Sequence, residues 1–176
     1  MVPIQTVFIG LILLFGIIGG LRGWAKELLV SFSVVLARFI EMVLVTHVPV
    51  LNISLQTLAS SDAKTWLYVR SMLFIIIVSF GYATTVISAI LGSRARKEKL
   101  QDTLLGFFLG AINGFLIVGM LWGFLHKKGY DLWGITAPTT TQALGIIPYL
   151  PYEWLEGPTL LVAVAIAFAF VLIVFI

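Results

Sequence analysis

Charge is scarce in this chain. Only 11% of its 176 residues are Asp, Glu, Lys or Arg, while 60% are hydrophobic; a soluble domain carries about a quarter charged residues. That deficit argues against a soluble globular domain. Cysteine is absent, which excludes disulfides, thiolate zinc sites, iron–sulfur clusters and cysteine nucleophiles. The two histidines, His47 and His126, form no metal-ligand spacing. A formal charge of +3, scattered along the chain, is no nucleic-acid footprint. There is no Gly-rich phosphate loop, no HExxH pair and no dinucleotide turn, and no histidine base stands near the serines. The chemistry-bearing patterns of an enzyme are missing. The first positive charge, Arg22, follows the first apolar run. A signal peptide has the reverse order, so that run reads as a retained helix.

What the chain does have is long apolar stretches. Five of them, at about 4–20, 28–46, 66–92, 104–125 and 159–176, approach the roughly 20 residues that cross a hydrocarbon core. In lipid each must satisfy its own backbone, so helices follow. The expectation is an all-α integral membrane protein, a single polytopic domain over 1–176 with about five transmembrane helices. The linkers at 21–27 and 93–103 hold Arg22, Lys26, Arg94, Arg96, Lys97 and Lys99, six of the eleven basic residues. Retention of positive charge inside then predicts the N terminus outside and the C terminus cytoplasmic. The linker 126–158 carries Tyr130, Trp133, Tyr149, Tyr152 and Trp154, rings that favour the membrane boundary. It reads as an outer interfacial segment with a short helix near 140–147 and a Pro-rich turn.

The turn "GGLRGWAKELL" (19–29) breaks the apolar pattern. Gly19, Gly20 and Gly23 predict a flexible hairpin. Arg22 and Lys26 would sit at anionic headgroups, and Glu27 at the positive end of the second helix. Within that helix, Glu27, Ser31, Arg38 and Glu41 share one stripe. Arg38 and Glu41, at i and i+3, are placed to pair. Intramembrane charge is costly and faces protein or water, so the pair is either a packing salt bridge or part of an ion path. Gly106, Gly110 and Gly114 make two overlapping GxxxG repeats, a surface for close helix approach, with Asn113 beside it able to bond across. Gly119 and Gly123 continue the small residues. The basic run 94–99 sets topology, or binds anionic lipid or an acidic partner.

Two stretches resemble one family. "LRGWAKELLVSFSVVLA" (21–37) is similar to the Arg-Gly-aromatic turn of the colicin V production (CvpA) family, and "LQDTLLGFFLGAINGFLIVGML" (100–121) to its Asp-then-glycine signature on the fourth helix. "TTTQALGIIPYLP" (139–151) also resembles its pattern after that helix. The matching positions are Arg22, Gly23, Lys26 and Glu27, then Asp102, Gly106, Gly110 and Gly114. The chain departs from the family at Gln5, Thr103 and Asn113, where charged residues are common, and its fifth helix is an addition. The resemblance implies a small multi-pass protein of the bacterial inner membrane.

Two functions follow as expectations. One is a non-enzymatic accessory or scaffold subunit of a secretion, envelope, respiratory or photosynthetic complex, working through helix–helix contacts with other subunits or itself. The alternative is a small homo-oligomeric channel or transporter with Arg38 and Glu41 lining its path. No cofactor is predicted. Lipid, quinone or pigment contact on the apolar faces is compatible with the composition.

Overall fold

The computed structural model describes residues 3–48, 53, 56–58, 60–83, 99–130 and 137–175. Among these residues there are helices and no strand. Four helices are long and apolar enough to cross a membrane, or five when a bent pair near the C terminus is taken as one span. α1 (Ile4–Arg22) and α2 (Trp24–Thr46) are followed by α3 (Ala63–Ala83) and α4 (Lys99–Lys128). A short α5 (Thr141–Ile146), a 3-10 turn (Ile147–Tyr149) and α6 (Pro151–Trp154) lead into α7 (Gly157–Phe175). The long helices alternate in direction. Gly23, between α1 and α2, marks one end of the bundle, called here the motif end. Thr46 and Lys128 mark the far end.

The anticipated seven-residue hairpin at 21–27 is a single residue. α1 runs on to Arg22, α2 begins at Trp24, and Gly23 alone turns the chain at φ 86°, a value that favours glycine. The Asp102 carboxylate accepts the Trp24 N–H at 3.1 Å, so α2 starts at once with one orphan donor satisfied. Gly19 and Gly20 are therefore packing positions inside α1, not flexible hinges.

Small residues bring α1 and α4 together. A methyl group at Gly110 would stand 2.8 Å from Gly19 Cα, and one at Gly114 2.8 Å from Phe15 Cβ. The glycine stripe of α4 thus meets α1 of the same chain, backbone against backbone. α2 lies against α3 where Gly81 approaches Val30 and Ser33, and against α4 along a core of Val30, Val34, Phe74, Met120 and Phe124. α4 is longer at both ends than its apolar stretch suggests. α7 leans on α2, with the Phe32 and Phe170 rings 5.2 Å apart.

The segment after α4 contains the expected short helix, α5, and divides between surface and bundle: Ala143, Leu150, Pro151 and Leu155 are buried, while Thr141, Gln142, Leu144, Tyr149, Trp154 and Glu156 are exposed. Pro151 fills the notch at Gly119, and Tyr152 the notch at Gly123. The chain then bends by 62° into α7. Of its aromatics, Tyr149 is exposed and Tyr130 buried. Trp133, the basic positions 94–98 and the end of the third apolar stretch lie outside the described residues.

Candidate functional site: two buried polar clusters

At the motif end, α1, α2, α3 and α4 converge on Glu27, which has no solvent exposure. The ninth residue of the quoted turn thereby becomes a core residue. Arg22 Nη1 donates to Glu27 Oε1 at 2.6 Å, and Arg22 Nη2 to the Tyr82 carbonyl at 3.2 Å. The Arg22 guanidinium also lies 4.4 Å from the centre of the Tyr82 ring. From α4, Asn113 Nδ2 donates to Glu27 Oε2 at 2.9 Å and to the Glu27 carbonyl at 2.8 Å. Ser31 Oγ donates to Asn113 Oδ1 at 2.7 Å. Glu27 stands in the first turn of α2, where the helix dipole favours an anion, and an arginine and an amide complete its shell. Burial of a carboxylate is tolerable when it is paired and hydrogen-bonded in this way. Lys26 points outward and is exposed.

Gly23 and Asp102 belong to the same construction. A methyl group at Gly23 would come within 2.8 Å of the Asp102 carboxylate, so the capping acid needs glycine there for steric as well as backbone reasons. Arg22, Gly23, Glu27, Asp102 and Asn113 are brought into one neighbourhood from positions some eighty residues apart.

Toward the far end lies a second cluster. Arg38, a little past the middle of α2, donates through Nη1 to Glu41 Oε2 at 2.8 Å. The carboxylate's other oxygen lies against Arg70 Nε. The third apolar stretch, taken from 66, would leave Arg70 near a helix end. With α3 starting at Ala63 it lies about 10 Å inside, at 1.5 Å per residue, and is buried. Its guanidinium stacks over Phe124 at 4.0 Å and Tyr152 at 4.9 Å. Arg38 Nε donates to the Leu155 carbonyl at 3.3 Å, and Nη2 stands 3.9 Å from Glu156 Oε2. One buried acid therefore serves two buried arginines, and Glu156, 61% exposed, contributes from the rim.

The histidines have local partners. His47 closes α2 through its backbone N–H to the Val43 carbonyl. His126 Nδ1 is 3.0 Å from Tyr130 Oη, which also accepts the Trp122 indole N–H at 2.9 Å. Burial raises the Tyr130 hydroxyl above its ordinary value, offset in part by the Trp122 hydrogen bond. Among the described residues no group of three or more His, Cys, Asp and Glu is placed to hold a metal ion.

These features define an all-helical membrane protein with two cross-helix polar clusters. The profile of the family described as "Colicin V production protein" matches residues 4–134, and the chain belongs to that family. The match covers both halves of the motif-end cluster and stops before the segment that carries Tyr152. Neither the curated proteins nor the solved structures contain a match.

Proposed function

We propose that this protein is a non-enzymatic accessory or scaffold subunit of a larger bacterial inner-membrane complex, with its N terminus outside and its C terminus cytoplasmic. The observation behind this reading is the division between inside and outside. Arg22 pairs with Glu27, and Arg38 and Arg70 with Glu41, so the buried charges answer one another. The outward faces are broadly apolar: Leu13 and Ile17 on α1, Met72 and Phe80 on α3, Phe108 on α4 and Ile166 on α7. Because α1 occupies the glycine stripe of α4, partner subunits would pack on these faces by van der Waals contact. Lipid chains, a quinone or a pigment would use the same surfaces. The family membership supports the membrane setting. The test is capture of the tagged chain from native membranes in mild detergent, followed by mass spectrometry of proteins and small molecules. Foreign subunits in fixed stoichiometry are expected. A chain that elutes alone and crosslinks to nothing in intact membranes would overturn the proposal.

A second reading, a small homo-oligomeric channel or transporter, draws on the convergence of Arg38, Glu41, Arg70 and Glu156 from three parts of the chain. Ionisable groups from several helices mark many conduction paths. It predicts that the double variant Arg38→Ala, Glu41→Gln abolishes flux in liposomes while assembly persists. Unchanged flux would remove those residues from any path.

A further inference from the structure

We infer that residues 141–156 form a re-entrant plug, latched at Tyr152, which covers the Arg38–Glu41–Arg70 cluster at the far end of the bundle and swings on Gly157. The inference is independent of whether the chain works as a subunit or as a channel.

Three observations carry it. First, the seat is shaped for this segment. A methyl group at Gly119 would stand 2.6 Å from Pro151 Cδ, and one at Gly123 2.8 Å from Tyr152 Cγ. Both notches lie on the α4 face turned toward the segment, and Leu150 and Leu155 are buried beside them. Second, the latch is electrostatic. The Tyr152 ring has three cations over it: Arg70 at 4.9 Å, Arg38 at 5.2 Å and Lys127 at 5.7 Å. The plug also gives Arg38 the Leu155 carbonyl. Those arginines would otherwise need water or an anion, because a desolvated guanidinium with free donors is costly.

Third, the attachments at the rim are weak and the exit is hinged. Lys127 and Glu153 pair at 3.2 Å in a half-exposed position, and Arg38 reaches Glu156 at only 3.9 Å. Pairs of this kind contribute little. The bend into α7 falls at Gly157, whose φ of 51° is readily changed in glycine. A segment deeply seated by shape, lightly held at its rim and joined to a glycine bend is built to leave as a unit. Its departure would open the two arginines and Glu41 to water.

The absence of native cysteine makes the test free of background. Leu155→Cys reports on the plug and Leu67→Cys, equally buried, on the bundle beneath. Each is labelled in membranes with a water-soluble thiol reagent, in the otherwise unaltered chain and with Gly123→Ala or Lys127→Gln. The readout is the ratio of the Leu155→Cys rate to the Leu67→Cys rate. Gly123→Ala displaces Tyr152 by steric contact, whereas Lys127→Gln weakens the latch without crowding. A rise in that ratio of about tenfold or more is expected with Gly123→Ala, a shift of about 1.4 kcal/mol in the opening equilibrium, and a smaller rise of about two- to fivefold with Lys127→Gln. A ratio unchanged in both backgrounds, including one in which both cysteines become equally reactive, overturns the plug.

Discussion

Replacing Glu41 by Gln tests the far-end cluster directly. Glutamine keeps the volume and a carbonyl acceptor, so the change removes charge and little else. Glu41 meets Arg38 Nη1 at 2.8 Å and also lies against Arg70, with all three side chains nearly inaccessible. Losing one partner of a buried pair costs about 3–5 kcal/mol, since the other charge stays buried. Here two arginines lose the same acid. Glu156 can answer only one of them, from an exposed position where such a pair contributes about 1 kcal/mol at most. The expected loss is about 3–4 kcal/mol, a fall of roughly 140- to 700-fold in the folded-to-unfolded ratio at about 1.4 kcal/mol per tenfold. Unfolding by SDS in mixed micelles, followed by tryptophan fluorescence, measures it. Adding Arg70→Met to Glu41→Gln removes one orphaned cation and should recover part of the loss. A loss below about 1 kcal/mol for Glu41→Gln alone would refute the claim that this carboxylate neutralises the cluster.

Other outcomes follow from the same geometry. Gly110→Val drives side-chain atoms into Gly19 and should destabilise by about 1–3 kcal/mol, as overpacking does. Gly10→Ala, with nothing within 4 Å of the added methyl, should stay within about 0.5 kcal/mol in the same assay. Asp102→Ala removes the cap on the Trp24 N–H and should cost about 0.5–2 kcal/mol, read as faster hydrogen exchange in the first turn of α2. At the start of α3, the Thr65 hydroxyl, the Thr65 and Lys64 amides and the Lys64 charge together hold the Asp62 carboxyl below its ordinary 3.8. The folded state thus favours the charged form. Its contribution is complete above the ordinary value and is lost as pH falls through the lowered one. The Asp62 carboxyl NMR signal should therefore titrate below 3.8, with fraying of the first α3 turn; titration at or above 3.8 contradicts the cap.

Much of the scaffold was legible in the residue pattern, and the exceptions are instructive. Apolar runs of near-spanning length located the long helices, because lipid leaves the backbone few options. The stripe of Glu27, Ser31, Arg38 and Glu41 was visible, since helical periodicity alone decides which residues share a face. Their partners were not, because pairing across helices depends on register. The depth of Arg70 is hidden because α3 begins at Ala63, ahead of the apolar stretch that marks it in the sequence. The glycines of α4 announced a close approach without saying whether α1 or a foreign helix would make it. Gly119 and Gly123 read as more of the same stripe, yet they receive Pro151 and Tyr152. A segment with two prolines and three aromatics carries no period that would reveal its burial. The length of the hairpin is hidden from the sequence for a related reason. Its one-residue length depends on a cap supplied by Asp102, far along the chain.

That distant cap has a consequence for biosynthesis. Trp24 and Asp102 are separated by 78 residues, which take about 4–16 s to synthesise at about 5–20 residues per second. Throughout that interval the emerging α1–α2 hairpin lacks its N-cap, and Glu27 lacks the Asn113 amide. Arg22, the neighbour already made, is the partner available to its carboxylate. The hairpin must therefore enter the membrane in a provisional form, its tightest turn awaiting α4.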